Sequence, residues 1–131
     1  MIKSLAHVAL LVDDYDKAIE YYRYTLNFTL LEDTKLSDTK RWVLVSPEGK
    51  GGCSILLARA SDEEQRNRIG NQTGGRVFLF LYSDNLQSDY QTLLDNKIRI
   101  IHPPRSEPYG SVLVFQDLFG NLWDMIEPKS N

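Results

Sequence analysis

Few side chains in this sequence could do chemistry, and the two histidines and the single cysteine are the first to consider. His7 lies within an apolar stretch, His102 directly precedes two prolines, and Cys53 stands alone. An imidazole can bind a metal ion or transfer a proton near neutral pH, whereas one thiol can form neither an internal disulfide nor a zinc site of several thiolates. Spacing alone favours a hydrogen-bonded interior His7, a surface-loop His102 and a buried, apolar Cys53.

A second set of residues suits the binding of an organic ligand. Every second position of one apolar stretch is an arginine or an aromatic residue: Arg76, Phe78, Phe80 and Tyr82. Alternate residues of a β-strand share one face, so this face would present a cation at one end and aromatic walls along its length. The pattern predicts a cleft for an anionic ligand. Three more aromatic residues are candidates to line or back it: Trp42, Tyr109 and Trp123.

Composition and charge limit the class of protein. The chain has 131 residues, 42% of them hydrophobic and 25% charged, which predicts one domain that folds by itself. A net charge of -3 and the lack of any dense run of lysine and arginine argue against nucleic acid as a partner. The apolar stretches are strand-sized, well short of the roughly 20 residues that a membrane span needs. Because the sequence starts without a signal-peptide pattern, we expect a cytoplasmic location.

The first half of the sequence predicts a strand, a helix and three more strands. Leu5 to Val12 is an apolar run interrupted only by His7, which indicates a strand covered on both faces. Asp13 or Asp14 caps the next helix, which runs to about Leu26. Its apolar residues recur every three or four positions and form one packing face: Tyr15, Ala18, Ile19, Tyr22 and Leu26. Three strand-like stretches follow: Phe28 to Leu36, Arg41 to Ser46 and Ser54 to Arg59.

The same order of elements repeats in the second half. A polar segment, Ser61 to Gly75, predicts a helical linker that ends in a glycine turn. Val77 to Tyr82 predicts a strand, and Ser83 to Asn85 cap a helix. The apolar face of that helix has four members: Leu86, Tyr90, Leu93 and Leu94. Three strands complete the unit, with turns at Pro103-Pro104 and at Phe119 to Asn121: Ile98 to Ile101, Ser111 to Gln116 and Leu122 to Ile126. The chain thus contains two βαβββ units.

Four segments carry a family resemblance: HVALLVDD at 7–14, RWV at 41–43, GGRVF at 74–78 and FQDLFGNLWDM at 115–125. The first has a histidine six residues before an acidic helix cap, and the last is a hairpin with a Gly-Asn turn and an acidic residue on its second strand. With the tandem βαβββ layout, they resemble the vicinal oxygen chelate superfamily, which contains glyoxalase I, bleomycin resistance proteins and extradiol dioxygenases. The two inner segments are similar to those of an uncharacterised glyoxalase-like group.

The resemblance implies an α+β fold in which two βαβββ modules form a curved, half-open mixed β-sheet around a cleft. It implies a single domain over residues 1–131, with the first module at about 3–60, a linker at about 61–74 and the second module at about 75–128. It also implies a homodimer, as is common among members of the superfamily.

Metal binding is a further property that the resemblance implies. Catalytic members hold one divalent metal ion through side chains on the first and last strands of each unit, and His7 and Asp124 match two of these positions. An imidazole and a carboxylate suit Mn, Fe, Ni or Zn. The other two positions offer no ligand, because one falls near Arg76 to Phe78 and Ile55 to Leu57 stand where glyoxalase I has a glutamate. Three protein ligands are the usual minimum for a catalytic metal, so this set is incomplete.

Two functions follow from the resemblance. One is a glyoxalase-like enzyme of the lyase or dioxygenase type that acts on a small, anionic organic substrate with a divalent metal ion as cofactor. Asp124 or Glu107 would be its catalytic base, assisted by the metal ion or by Arg76. Five residues would contact the substrate: Arg76, Phe78, Phe80, Trp42 and Tyr109. The alternative is a metal-free binding protein, similar to the bleomycin resistance proteins, that sequesters a small ligand without changing it.

Overall fold

The computed structural model describes residues 1–47 and 51–130, and the chain divides into two compact units, Met1–Ile69 and Gly70–Asn131. The first unit contains β1 (His7–Val12), α1 (Tyr15–Glu20), β2 (Thr29–Lys35), β3 (Arg41–Ser46), β4 (Ser54–Arg59) and α2 (Glu63–Arg68), and a π-helical segment, Tyr21–Thr25, continues α1. The second contains β5 (Leu79–Tyr82), α3 (Leu86–Asp95), β6 (Arg99–Glu107), β7 (Gly110–Gln116) and β8 (Leu122–Pro128). Both units have the order βαβββ, so the predicted α+β fold class is confirmed. The turn predicted between β3 and β4 lies partly outside the described residues.

The first unit forms a four-stranded mixed sheet with one buried face. Its strand order is β1-β4-β3-β2, with β1 parallel to β4 and the other pairs antiparallel. Helix α1 contacts β3 and β4, and Ala18 and Tyr22 are completely buried, as their spacing predicts. Alternate strand residues complete this core: Leu10, Val12, Val43, Val45, Ile55 and Leu57.

The opposite face of this sheet is open. We define the open face of the first sheet by residues that alternate with the core positions and are exposed or partly exposed: His7, Ala9, Leu11, Trp42, Leu56 and Ala58. The apolar run around β1 predicts a strand that is covered on both faces, and this prediction is wrong for the described residues. Leu10 and Val12 are completely buried, but His7 and Ala9 are exposed.

The second unit repeats this layout. Its strand order is β5-β8-β7-β6, with β5 parallel to β8. Helix α3 contacts β6, β7 and β8. The rings of Phe115 and Trp123 stack with their centroids 5.9 Å apart. Trp123 is only 1% exposed, so it belongs to the core and does not line a cleft. No helix among the described residues is long and apolar enough to cross a membrane.

Short oxygen side chains start the helices as the sequence predicts. Asp14 accepts a hydrogen bond from the backbone N–H of Lys17 at 2.9 Å, and Asn85 accepts one from that of Ser88 at 3.1 Å. In α3 the predicted apolar face is confirmed for Leu86 and Leu93, which are buried. Leu94 is 42% exposed, and its assignment to that face is wrong, because it lies about 80° around the helix from Leu86.

Two predictions about irregular segments are also wrong. The loop expected at His102 and the turn at Pro103-Pro104 are part of β6, which continues to Glu107. This strand lies at the edge of its sheet, and its pairing with β7 shifts on both sides of His102, so residues without a backbone N–H are tolerated there.

The burial predicted for Cys53 is wrong as well. Cys53 is exposed, because it precedes β4 instead of lying within the strand.

Candidate functional site

His7 lies at the start of β1, on the open face of the first sheet, and two neighbours hold its ring. Its Nδ1 is 2.6 Å from the hydroxyl oxygen of Ser54, its partner in the β1–β4 register, and its ring meets that of Trp42 edge to face at 5.8 Å between centroids. The histidine is hydrogen-bonded, as spacing predicts, but it is exposed rather than interior. Because Ser54 occupies Nδ1, Nε2 is the ring nitrogen left for a metal ion or a ligand.

Trp42 lines a cleft of about 630 Å³ whose lining residues all belong to the first unit. Leu56 and Ala58 of β4 line the cleft with the indole, and Tyr15 and Gln65 reach it from the two helices. The strand residues share the open face because Leu44 of β3 pairs with Leu56 of β4. The volume is in the usual range for a small-molecule site, and the lining combines apolar side chains with a similar number of polar and charged ones.

Arg41 is fixed at the rim of this cleft. Its guanidinium donates to both carboxylate oxygens of Asp33, at 3.1 and 2.6 Å, and to Asp16 at 2.9 Å, and it lies 5.2 Å from the centre of the Tyr15 ring. The hydrogen bonds with Asp33 and Asp16 raise the pKa of Arg41 further above its ordinary value, so the side chain stays cationic. Local sequence gave no sign that Tyr15 and Arg41 meet, because 26 positions separate them.

Asp124 lies on β8, paired with Phe80 of β5 on one side and with Val114 of β7 on the other. Its Oδ1 is buried and has no hydrogen-bond partner among the described residues. Burial raises the pKa of Asp124, an effect that the positive charge of Arg105 partly opposes. A carboxyl group in this state exchanges a proton closer to neutral pH than an ordinary aspartate does.

The other predicted base is less available. Glu107 accepts a hydrogen bond from Nε of Arg105 at 2.7 Å, so its charge is already paired. Tyr109, a predicted ligand contact, is 57% exposed. The structure therefore distinguishes between the two carboxylates that the sequence left as equal candidates for the base, and Asp124 is the one without a hydrogen-bonding partner among residues 1–47 and 51–130.

Comparison with known proteins identifies the family. The model of the "Glyoxalase/Bleomycin resistance protein/Dioxygenase superfamily" matches residues 4–125. The chain belongs to this superfamily. An uncharacterized protein of Shewanella frigidimarina (strain NCIMB 400) is 52% identical over 128 residues, which cover 97% of this chain and 95% of the relative.

Solved structures support the fold of this superfamily member. UcmS2 has a TM-score of 0.84 at 26% identity, and the match covers 97% of this chain and 99% of UcmS2. TnmS3, an antibiotic binding protein from Streptomyces sp. CB03234, has a TM-score of 0.78 at 24% identity, with 98% of each chain covered. At such identity the likeness to TnmS3 concerns the fold alone.

The predicted ligand contacts of this superfamily member do not all lie on one strand. β5 begins at Leu79, so Arg76 and Phe78 precede it, and Arg76 lies in an exposed bend. The predicted alternation along one face is therefore wrong for Arg76, whereas the backbone N–H of Phe78 still donates to the carbonyl of Leu122 in β8. The alternation is confirmed for Phe80 and Tyr82, which are 64% and 83% exposed. As ligand contacts, all five residues stay predictions: Arg76, Phe78, Phe80, Trp42 and Tyr109.

The described residues do not fit a three-ligand metal centre. Within 1–47 and 51–130, no group of three His, Cys, Asp or Glu side chains is arranged to hold a metal ion. A catalytic metal ion usually has three protein ligands. His7 and Asp124 are two donors without a third, and their assignment as metal ligands stays a prediction.

Proposed function

We propose that this chain is a small-molecule-binding protein that holds an organic ligand on the open face of the first sheet, and that binding needs no metal ion. The observation that supports this proposal is the cleft of about 630 Å³ with Trp42, Leu56 and Ala58 among its lining residues. All three are partly exposed, so a ligand placed on them would remove apolar surface from water.

The position of Trp42 favours a flat ligand. The edge contact with His7, at 78° between the ring planes, restrains the indole, and Arg41 beside it is held by two carboxylates. A restrained aromatic ring loses little conformational freedom when a ligand stacks on it, and this lowers the free-energy cost of binding. In TnmS3 the same fold belongs to an antibiotic binding protein. The proposal for this chain depends on its own cleft.

Binding of the uncharged dye phenylnaphthylamine to chelator-treated protein tests this proposal. We expect fluorescence enhancement that saturates, and Trp42→Ala should weaken binding about tenfold, because it removes the largest aromatic surface of the cleft. Tyr24→Ala is the matched control, since Tyr24 is 69% exposed and does not line the cleft. If both variants bind the dye as well as the parent, the cleft is not the binding site and the proposal fails.

A glyoxalase-like enzyme is the second candidate, and Asp124 is the observation that favours it. A buried, unpartnered carboxylate oxygen with a raised pKa has the properties of a base that removes a proton from bound substrate. Its test is the metal content of purified protein after incubation with Mn, Fe, Ni and Zn. Near-stoichiometric metal that is lost in both His7→Ala and Asp124→Ala would favour the metalloenzyme. No bound metal in the parent would leave metal-free binding as the better account.

A further inference from the structure

The cleft beside Trp42 is lined by cationic side chains and by no carboxylate, although the chain as a whole carries a net charge of -3. Four of its lining residues are Lys40, Arg41, Arg59 and Arg66, and none of the lining residues is an aspartate or glutamate. Positive charge concentrated over a partly apolar floor attracts anions and repels cations. The charge of the cleft therefore limits the chemistry of its ligand.

Two of the four cations are already engaged with carboxylates. Arg41 pairs with Asp33 and Asp16, and Arg66 pairs with Glu63 at 3.2 Å. Lys40 and Arg59 form no side-chain ion pair or hydrogen bond with any part of the chain that the structure describes. Arg59 is the more suitable of the two, because it lines the cleft at the end of β4 and its guanidinium can bind an oxyanion through two N–H groups.

We propose that the ligand is a flat organic anion, with its ring on Trp42 and its carboxylate, sulfonate or phosphate group at the guanidinium of Arg59. This inference depends on the proposed binding function and names the class of ligand. A guanidinium presents a planar set of N–H donors that matches such oxyanions. A cationic ligand would have to approach Arg59 and Lys40 without any facing carboxylate in the lining of the cleft.

The other side of Arg59 limits how the anion can lie. A neighbouring cleft of about 550 Å³ also includes Arg59, but five aspartates line it: Asp13, Asp14, Asp16, Asp33 and Asp38. Their negative charge would repel an anion that extended beyond the guanidinium. The acid group of the ligand should therefore stop at Arg59, while the ring extends back over Trp42.

A matched pair of dyes tests the proposal. Anilinonaphthalene sulfonate carries a sulfonate, and phenylnaphthylamine is its uncharged counterpart. We expect Arg59→Gln to weaken binding of the sulfonate dye about five- to tenfold and to leave the uncharged dye within about twofold. Added salt should weaken the sulfonate dye only. Arg68→Gln is the control for loss of one positive charge, because Arg68 is exposed on α2 and does not line the cleft. Thermal unfolding curves establish that each variant is folded.

The outcomes separate this inference from the function on which it depends. Equal effects of Arg59→Gln and Arg68→Gln on the sulfonate dye would overturn the anion proposal. If Trp42→Ala still weakens both dyes in that case, the binding function stands and only the ligand class is wrong. If Trp42→Ala changes neither dye, the binding function and the anion proposal both fail.

Discussion

His7 combines a structural contact with a position that suits chemistry. Its spacing in the sequence favours a hydrogen-bonded residue, and the family resemblance favours a metal ligand. The hydrogen bond between Nδ1 and the Ser54 hydroxyl is compatible with both, because a histidine that binds a metal or a substrate through one nitrogen usually has its other nitrogen held by a hydrogen bond. A decision between the two roles needs a third donor, which the described residues do not supply.

The raised pKa of Asp124 predicts how the stability of the protein depends on pH. Because burial raises its pKa in the folded state, the native protein binds more protons than the unfolded chain between about pH 4 and the raised value. The contribution of this residue to stability is therefore present below about pH 4 and is lost as the pH rises through the folded pKa. We expect Asp124→Asn to raise the free energy of unfolding at pH 7 by about 0.5 kcal/mol, a small value because the residue is only partly buried.

Urea unfolding at pH 3 and pH 7 measures this effect. The increase in the free energy of unfolding that Asp124→Asn causes should be smaller at pH 3, where the carboxyl group of the parent is protonated and carries no charge. Asp38→Asn is the control, since the side chain of Asp38 is fully exposed and its variant should show no such difference. A loss of stability in Asp124→Asn that is equal at the two pH values would contradict the prediction.

At the scale of elements, one buried carboxylate organises the turn between β7 and β8. Asp117 is 5% exposed and accepts hydrogen bonds from the backbone N–H groups of Phe119 and Asn121, from the Asn121 amide and from Nε1 of Trp123, at 2.9 to 3.2 Å. The family resemblance of this segment therefore has a structural cause, because the acidic residue satisfies donors that the tight turn would otherwise bury.

Replacement of Asp117 should destabilise the protein strongly. Asp117→Asn exchanges one acceptor oxygen for an N–H₂ group that faces donors, so we expect a loss of about 2 to 4 kcal/mol in the free energy of unfolding. Urea denaturation at pH 7 measures it. Asp95→Asn is the matched control, because Asp95 is exposed and accepts one hydrogen bond from Gln91. A loss below about 1 kcal/mol for Asp117→Asn would show that the turn does not depend on this carboxylate.

At the scale of the whole molecule, each sheet ends in an edge strand that could pair with another chain. β1 and β5 each have only one strand partner among the described residues, and β5 exposes Phe80 and Tyr82. Unpaired edges and exposed aromatic side chains are features that association would cover. We predict a homodimer, so light scattering coupled to size-exclusion chromatography should give twice the mass of the chain.

The double variant Phe80→Lys with Tyr82→Lys tests whether this surface takes part in the dimer. We expect it to shift the mass toward that of the single chain, because lysines on an edge strand oppose pairing. Tyr24→Lys, which changes an exposed aromatic residue of the other unit, should leave the mass unchanged. A parent protein that has the mass of one chain would contradict the prediction of a dimer.

Features that depend on short-range order could be predicted from the amino-acid sequence. Helix caps, the 3.6-residue spacing around Ala18 and Tyr22 and the tandem βαβββ order follow from residues that are close in the chain, and all of them agree with the structure. Together with the family segments, they were sufficient to predict the fold class and the superfamily, which the match over residues 4–125 confirms.

The residues that form the cleft could not be predicted in this way, because they are distant from one another in the chain. Tyr15, Trp42 and Arg59 come from three elements: the antiparallel pairing of β3 and β4 brings Trp42 and Arg59 to one end of the first sheet, and the packing of α1 against these strands adds Tyr15. The spacing of residues along one helix or strand does not predict contacts between different elements. The turn predicted at Pro103 is wrong for the same reason. Proline is tolerated in β6 because this strand lies at the edge of its sheet, and local sequence does not show which strands are edges. Local patterns specify elements, whereas the pairing of distant strands determines what a face can bind.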